Sequence, residues 1–206
     1  MRLILPALLL LSALAGCSDK PGAEGGQMSL TPASKTFKNS DVTGLGYARD
    51  FALPDQDGKP RTLADFKGRA VVVFFGYTHC PDVCPTTLSE MAAAMKELGP
   101  DADRVQVIFI TLDPERDKPE LLKSYVSSFD PRFIALTGDQ EATAKVAKEF
   151  KVFYQKVPGK SADSYTMDHT AASYVFDPQG RVRLFVRHGQ GTEPIVHDLQ
   201  ALLAGK

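Results

Sequence analysis

At 206 residues, with 24 Lys and Arg against 25 Asp and Glu, the chain has room for one ordinary domain and a tail. So even a charge balance argues against a nucleic-acid or polyanion partner. A domain of this size buries a full hydrophobic core without disulfide support, and its three cysteines are the more informative residues.

Met1-Arg2 supplies a single positive charge, and Leu3 to Leu14 is an apolar run too short to span a bilayer stably. The run ends in Leu14-Ala15-Gly16-Cys17, which resembles the lipobox of bacterial lipoproteins, where cleavage falls before the cysteine and its thiol carries the lipid. The duller alternative is an ordinary signal peptide with an incidental Cys17. On the lipobox reading, residues 1–16 are a signal peptide and Cys17 anchors the mature chain. Two free thiols then remain, outside the reducing cytoplasm. The expected location is the bacterial periplasm, on the periplasmic face of the cytoplasmic membrane. Residues 17–46, rich in Gly, Ser, Thr, Pro and Lys up to about Val42, read as a flexible tether, and the folded domain is expected over 47–206.

Phe51-Ala52-Leu53 and Arg61-Thr62-Leu63 flank a turn at Asp57-Gly58, a small hairpin. Val71 to Phe75 is an uncharged β-branched and aromatic run, which reads as a strand buried on both faces. Gly76 ends it. A short loop with Cys80 and Cys84 follows, then Pro85 suits the first turn of a helix whose apolar face is Leu88, Met91, Met95 and Leu98. Asp101 to Arg104 is a polar turn before a second buried strand, Val105 to Ile110. Asp117 is expected as the N-cap of a helix, with Glu120 in the capping-box position and Leu121, Leu122, Tyr125 and Phe129 on its apolar face. Phe133 to Leu136 is a short strand, and Asp139 opens a helix running through Ala147 and Phe150. From Lys151 to Met167 the pattern is weak: a short strand at Phe153-Tyr154, then a loop holding Pro158-Gly159. Ala172 to Phe176 turns at Asp177-Pro178-Gln179-Gly180 into an antiparallel strand, Val182 to Val186, and a helix from Thr192 to Leu203 closes the chain. Strands alternating with helices, then a hairpin and a helix, predict an α/β fold with a mixed central sheet flanked by helices.

Strand, loop and helix N-terminus hold two thiols where backbone N–H groups and the helix dipole favour thiolate. A mere staple is the structural alternative, but so short a loop leaves a disulfide little unfolded-state entropy to remove. The arrangement resembles the thioredoxin fold, with the N-terminal hairpin as an extension. There the redox pair has a two-residue spacer; here it is Pro81-Asp82-Val83, which lets both sulfurs point at one ion. Two thiolates suit Cu(I) or Zn(II). A third ligand must come from elsewhere, and His169 is the candidate. It lies in the region where thioredoxin-like proteins place a cis-proline facing the cysteines, and no proline occurs between Pro158 and Pro178.

Phe75-Gly76-Tyr77-Thr78-His79-Cys80-Pro81-Asp82-Val83-Cys84-Pro85, then Thr111-Leu112-Asp113-Pro114-Glu115-Arg116-Asp117, then Tyr165 with Asp168-His169-Thr170, together resemble the Sco/SenC family from about Phe51 onward. The resemblance implies a membrane-tethered, copper-binding, thioredoxin-like protein that helps build the binuclear copper site of cytochrome c oxidase. It implies Cys80, Cys84 and His169 as ligands for Cu(I) or Cu(II). The implied partner is the copper-receiving oxidase subunit or another copper chaperone. Some members act instead as thiol reductants or redox sensors, so a thiol–disulfide oxidoreductase using the Cys80–Cys84 pair is the competing expectation. A peroxidase fits less well, because of the proline and threonine it needs upstream of its cysteine only Thr78 is present, too close to Cys80.

The remaining polar residues divide between dull and functional readings. His79, His188 and His197 are expected at the surface, and Met167 in packing rather than ligation. Asp168 could accept the other ring N–H of a metal-bound His169, or simply form a turn. Asp113 is a candidate contact to the copper loop or to a partner.

Overall fold

The computed structural model describes residues 36–161 and 164–206, all within the compact unit Pro32–Lys206. In chain order the strands and helices are β1 (Ser40–Asp41), β2 (Ala52–Pro54), β3 (Pro60–Thr62), β4 (Ala70–Gly76), α1 (Val83–Leu98), β5 (Val105–Thr111), α2 (Pro119–Ser127) and β6 (Ile134–Leu136). After them come α3 (Gln140–Glu149), β7 (Tyr154–Pro158), β8 (Tyr165–His169), β9 (Ala172–Phe176), β10 (Val182–Arg187) and α4 (Thr192–Leu203).

The main sheet has the order β1-β10-β9-β4-β5-β6. Every residue of β4 and of β5 is buried, as their uncharged runs require of strands covered on both faces. β4 pairs parallel with β5 and antiparallel with β9, so the sheet is mixed at its centre. β10 instead alternates buried and half-buried residues, the signature of a strand with one wetter face. Helices α1 and α4 pack on one another, and α2 lies against β6. The α/β sandwich and its thioredoxin-like order are those the sequence predicts.

The hairpin β2–β3 stands apart from the main sheet and joins it through a bridge from Asp55 to Leu136. Its turn forms because Asp55 accepts the amides of Asp57 and Lys59, while Gly58 supplies a φ of 78°. The second turn repeats the device: Asp177 accepts from the amides of Gln179 and Arg181 and from the Arg181 guanidinium. Burial opposes its charge, yet these donors keep Asp177 below the ordinary carboxylate range.

Four sequence expectations need correction. The domain starts before Tyr47, because Ser40 and Asp41 pair with Phe185 and Leu184 of β10. Just upstream, buried Asp198 of α4 accepts the amides of Lys38 and Asn39 and the Asn39 side chain, and a buried carboxylate requires such donors. Asp117 is not the N-cap of α2; Lys118 is, with Pro119 next to it, and Asp117 turns inward. Leu121 is exposed, and Val126 joins Leu122 in the core instead. Tyr154–Pro158 and Tyr165–His169 pair as a separate two-stranded sheet, β7 with β8, in place of the loop expected after a short strand. By contrast Asp139 does cap α3, accepting from the Ala142 amide. Residues 1–35, with Cys17 and the expected signal peptide, lie outside the described residues.

Candidate metal centre

The centre is built where β4 ends. Gly76 is the last residue of that strand, and the chain then loops through Tyr77 to Asp82 into α1. Cys84, in the first turn of α1, is fully buried, whereas Cys80 on the loop is half-buried. The Cys84 amide, free at the helix start, points at Cys80 Sγ from 3.4 Å, so the helix N-terminus faces that sulfur.

These contacts split the two thiols. A hydrogen bond from the Cys84 thiol, aided by helix-start amides and opposed by burial, holds Cys80 down at about 5. Cys84, the donor of that bond and deeply buried, is pushed far up. Cys80 is therefore the more acidic thiol of the pair, and binding at both sulfurs requires the Cys84 proton to leave as well.

Gly76 makes room for this pair. A Cβ there would stand 2.7 Å from Cys84 Sγ, 2.8 Å from Phe109 Cε2 and 3.1 Å from Phe74 Cε1. All three neighbours are buried, so none can yield freely. Gly76→Ala should therefore cost about 1–3 kcal/mol of stability, as overpacking does. Chemical denaturation checks it, and a loss below about 0.5 kcal/mol, the range of ordinary surface changes, would refute the fit.

His169, the last residue of β8, completes the group. Its Nε2 lies 3.7 Å from Cys84 Sγ, and Nδ1 lies 3.0 Å from the Thr170 carbonyl. A carbonyl only accepts, so in the neutral ring Nδ1 carries the hydrogen and the Nε2 lone pair faces the sulfurs. Phe74 and Tyr77 stand edge-on to the imidazole, with centroids 6.3 Å and 6.2 Å away. One ligand atom from each of Cys80, Cys84 and His169 lies within 4.8 Å of the others. Two thiol sulfurs and an oriented imidazole form a donor set for a soft or borderline metal.

Residues 42–204 match the family described as SCO1/SenC. The chain belongs to that family. The mitochondrial protein SCO2 homolog of Mus musculus is 38% identical over 157 residues, covering 75% of this chain and 62% of that protein. The chain thus spans less than two thirds of the length of that curated relative. Among solved structures, Bradyrhizobium japonicum ScoI with copper bound superposes with a TM-score of 0.67 at 47% identity, over 75% of this chain and 98% of that one. BsSco, described as having a disulfide switch and as a member of the Sco family of cytochrome c oxidase assembly proteins, has a TM-score of 0.60 at 26% identity, over 80% of this chain and 98% of that one.

The other residues singled out in this SCO1/SenC chain fall outside the three-residue group. Asp168 is exposed and does not support His169; the Thr170 carbonyl takes that place, because neighbouring strand residues point to opposite faces. Asp113 is buried but touches no residue of the Cys80–Cys84 loop in its hydrogen bonds. It accepts from Arg116 Nε and from the Tyr165 hydroxyl. Asp117 takes the role expected of Asp113: its carboxylate accepts from the Thr78 amide at 3.0 Å and from the Thr111 hydroxyl at 2.6 Å, anchoring the loop. The sequence signal for it was two aspartates in one short segment after a buried strand, which does not say which one turns inward. His79 is exposed beside Thr78, as expected, and His197 is half-exposed and paired with Asp198. His188 is half-buried against the Thr87 hydroxyl rather than free at the surface. Met167 is core.

Proposed function

We propose that this chain is a membrane-tethered copper carrier, binding Cu(I) or Cu(II) through the Cys80 and Cys84 sulfurs and His169 Nε2. It passes the metal on during assembly of the binuclear copper site of cytochrome c oxidase. The observation that carries this reading is the convergence of the three ligand atoms within 4.8 Å. Soft sulfur with one imidazole selects copper or zinc, and the copper-bound ScoI relative favours copper. A half-buried Cys80 leaves one edge of the site open, where an incoming ligand can attack without a prior dissociation. The acceptor is the copper-receiving oxidase subunit or another copper chaperone. The place is the bacterial periplasm, on the periplasmic face of the cytoplasmic membrane. The tether is the lipid on Cys17, with residues 1–16 as its signal peptide. Among the described residues no helix is long and apolar enough to cross a membrane.

Anaerobic copper titration of the reduced protein tests the carrier. One copper per chain is expected, with a thiolate-to-Cu(II) absorption band that replacing both Cys80 and Cys84 by Ser abolishes. A band that survives this double substitution would place the metal elsewhere. For the tether, Cys17→Ser should prevent lipid attachment, read by mass spectrometry of the protein from its own host; an unmodified Cys17 in the wild type would remove that part of the reading.

A second reading has its own support. The more acidic thiol at half-buried Cys80 beside a less acidic, buried Cys84 is also a nucleophile with its resolving partner. Reduction of the acceptor's thiols, or redox sensing, is the alternative it serves.

A further inference from the structure

The three residues of the group come from two separate pieces of the fold, and the backbone supplies their general approach: β9, which starts three residues after His169, pairs with β4 (Ser173 with Phe74) just ahead of the cysteine loop. The cysteines ride on the loop between β4 and α1. His169 ends β8, which pairs only with β7 and has no ladder to the main sheet. An isolated two-strand hairpin is marginal by itself, so side chains must hold β8 in place.

Met167 does so from the core, Phe74 and Tyr77 do so at His169, and the polar contacts at the start of β8 come from one segment, Thr111 to Asp117, between β5 and α2. At its far end Asp117 accepts from the Thr78 amide and hydroxyl and from Thr111, and so holds the cysteine loop. Beside it Arg116 reaches the start of β8. Its Nη1 donates to the Tyr165 carbonyl at 3.0 Å, and its guanidinium lies 3.5 Å over the Tyr165 ring. The same guanidinium is 5.8 Å from the Tyr77 ring, which stands edge-on to His169. Asp113 completes the clip, accepting from Arg116 Nε and from the Tyr165 hydroxyl at 2.8 Å.

We propose that Arg116, with Asp113 and Asp117, is a positioning device that sets the separation of the His169 imidazole from the Cys80–Cys84 pair. Arg116 acts through Tyr165 on β8, while Asp117 holds the opposite side of the same gap. Lys could not replace Arg116, because it lacks both the planar face for Tyr165 and the forked donors. The proposal rests on the copper reading above for its metal-loaded test, but not for its metal-free one.

Arg116→Met in the reduced full-length chain is the test, with Tyr165→Phe as a milder change that removes only the hydroxyl bond to Asp113. Loaded with Cu(II), Arg116→Met should lose the imidazole nitrogen coupling seen by pulsed electron paramagnetic resonance. Its Cu(II) affinity should fall about 10-fold or more, the usual effect of losing a group that orients a ligand. Arg116→Lys should not restore either. In the H169A background the same substitution should change Cu(II) affinity by less than about twofold, since sites coupled through one group are not additive. Without metal, the β8 amides should exchange faster in Arg116→Met while those of β4 and β5 do not. Retention of the wild-type nitrogen coupling, or an equal affinity loss with and without His169, would overturn the proposal. Should Arg116→Met fail to fold, unchanged coupling and exchange in Tyr165→Phe overturn it. If the wild-type chain gives no thiolate-to-copper signal, the copper reading fails by itself, and the metal-free exchange pattern decides the positioning role alone.

Discussion

Replacing His169 with Ala is expected to separate the two oxidation states of copper. The imidazole is the one nitrogen in a group whose other donors are sulfur, and its Nε2 faces Cys84 because Nδ1 is committed to the Thr170 carbonyl. Cu(II) favours nitrogen more than Cu(I) does, while two thiolates alone suffice for Cu(I). Cu(II) affinity should therefore fall by more than about 100-fold, since loss of a group merely orienting a ligand already costs about 10- to 100-fold. Cu(I) affinity should fall by less than about tenfold on the same reasoning. Disulfide formation and exchange should survive, because they depend on the thiolate and its access, both of which belong to Cys80. In cells the variant should fail to assemble active oxidase. If such cells assemble it normally while Cys80→Ser cells do not, thiol reduction is the better account of the protein.

Oxidation of the Cys80–Cys84 pair should abolish copper binding altogether, and reduction should restore it. Cys80 and Cys84 are free, and their sulfurs lie within 4.8 Å. A disulfide would bring them to about 2.05 Å and leave no thiolate to offer. The imidazole alone is then the sole remaining donor of the three. Conversely, bound copper should shield Cys80 from alkylation, since the same lone pairs are engaged. Metal and disulfide are thus alternative states of one pair, which is why carrier and reductase chemistry compete rather than add. Equal copper binding by oxidised and reduced protein would move the site away from these residues.

Much of this was legible in the chain because it is written in local patterns. The uncharged runs of β4 and β5, the 3.6-residue periodicity of α1 and the turn at Asp177-Pro178-Gln179-Gly180 each specify their element without help from distant residues. The Cys80–Cys84 spacing in front of a helix marked a thiol centre on the same ground. The β7–β8 hairpin was not legible. Its residues alternate weakly and face solvent on one side, and the bonds at its start go to Arg116 and Asp113 in another part of the chain. The edge strand β1 escaped notice for a related reason: polar bonds to Asp198, 159 positions away, draw it in, and such bonds leave no periodicity.

What the sequence determined by itself is therefore helices α1 to α4, the strands other than β1, β7 and β8, their order, and the chemical kind of the centre, since these follow from side-chain type and spacing along the chain. The tertiary structure alone decided which ring nitrogen of His169 faces the sulfurs, which of Cys80 and Cys84 is the more acidic, and that Thr170 rather than Asp168 orients the ring. It also decided that Asp117 rather than Asp113 holds the loop. Each of these depends on a hydrogen bond between residues whose directions are fixed only once the strands are paired, and direction is what a spacing in sequence does not carry.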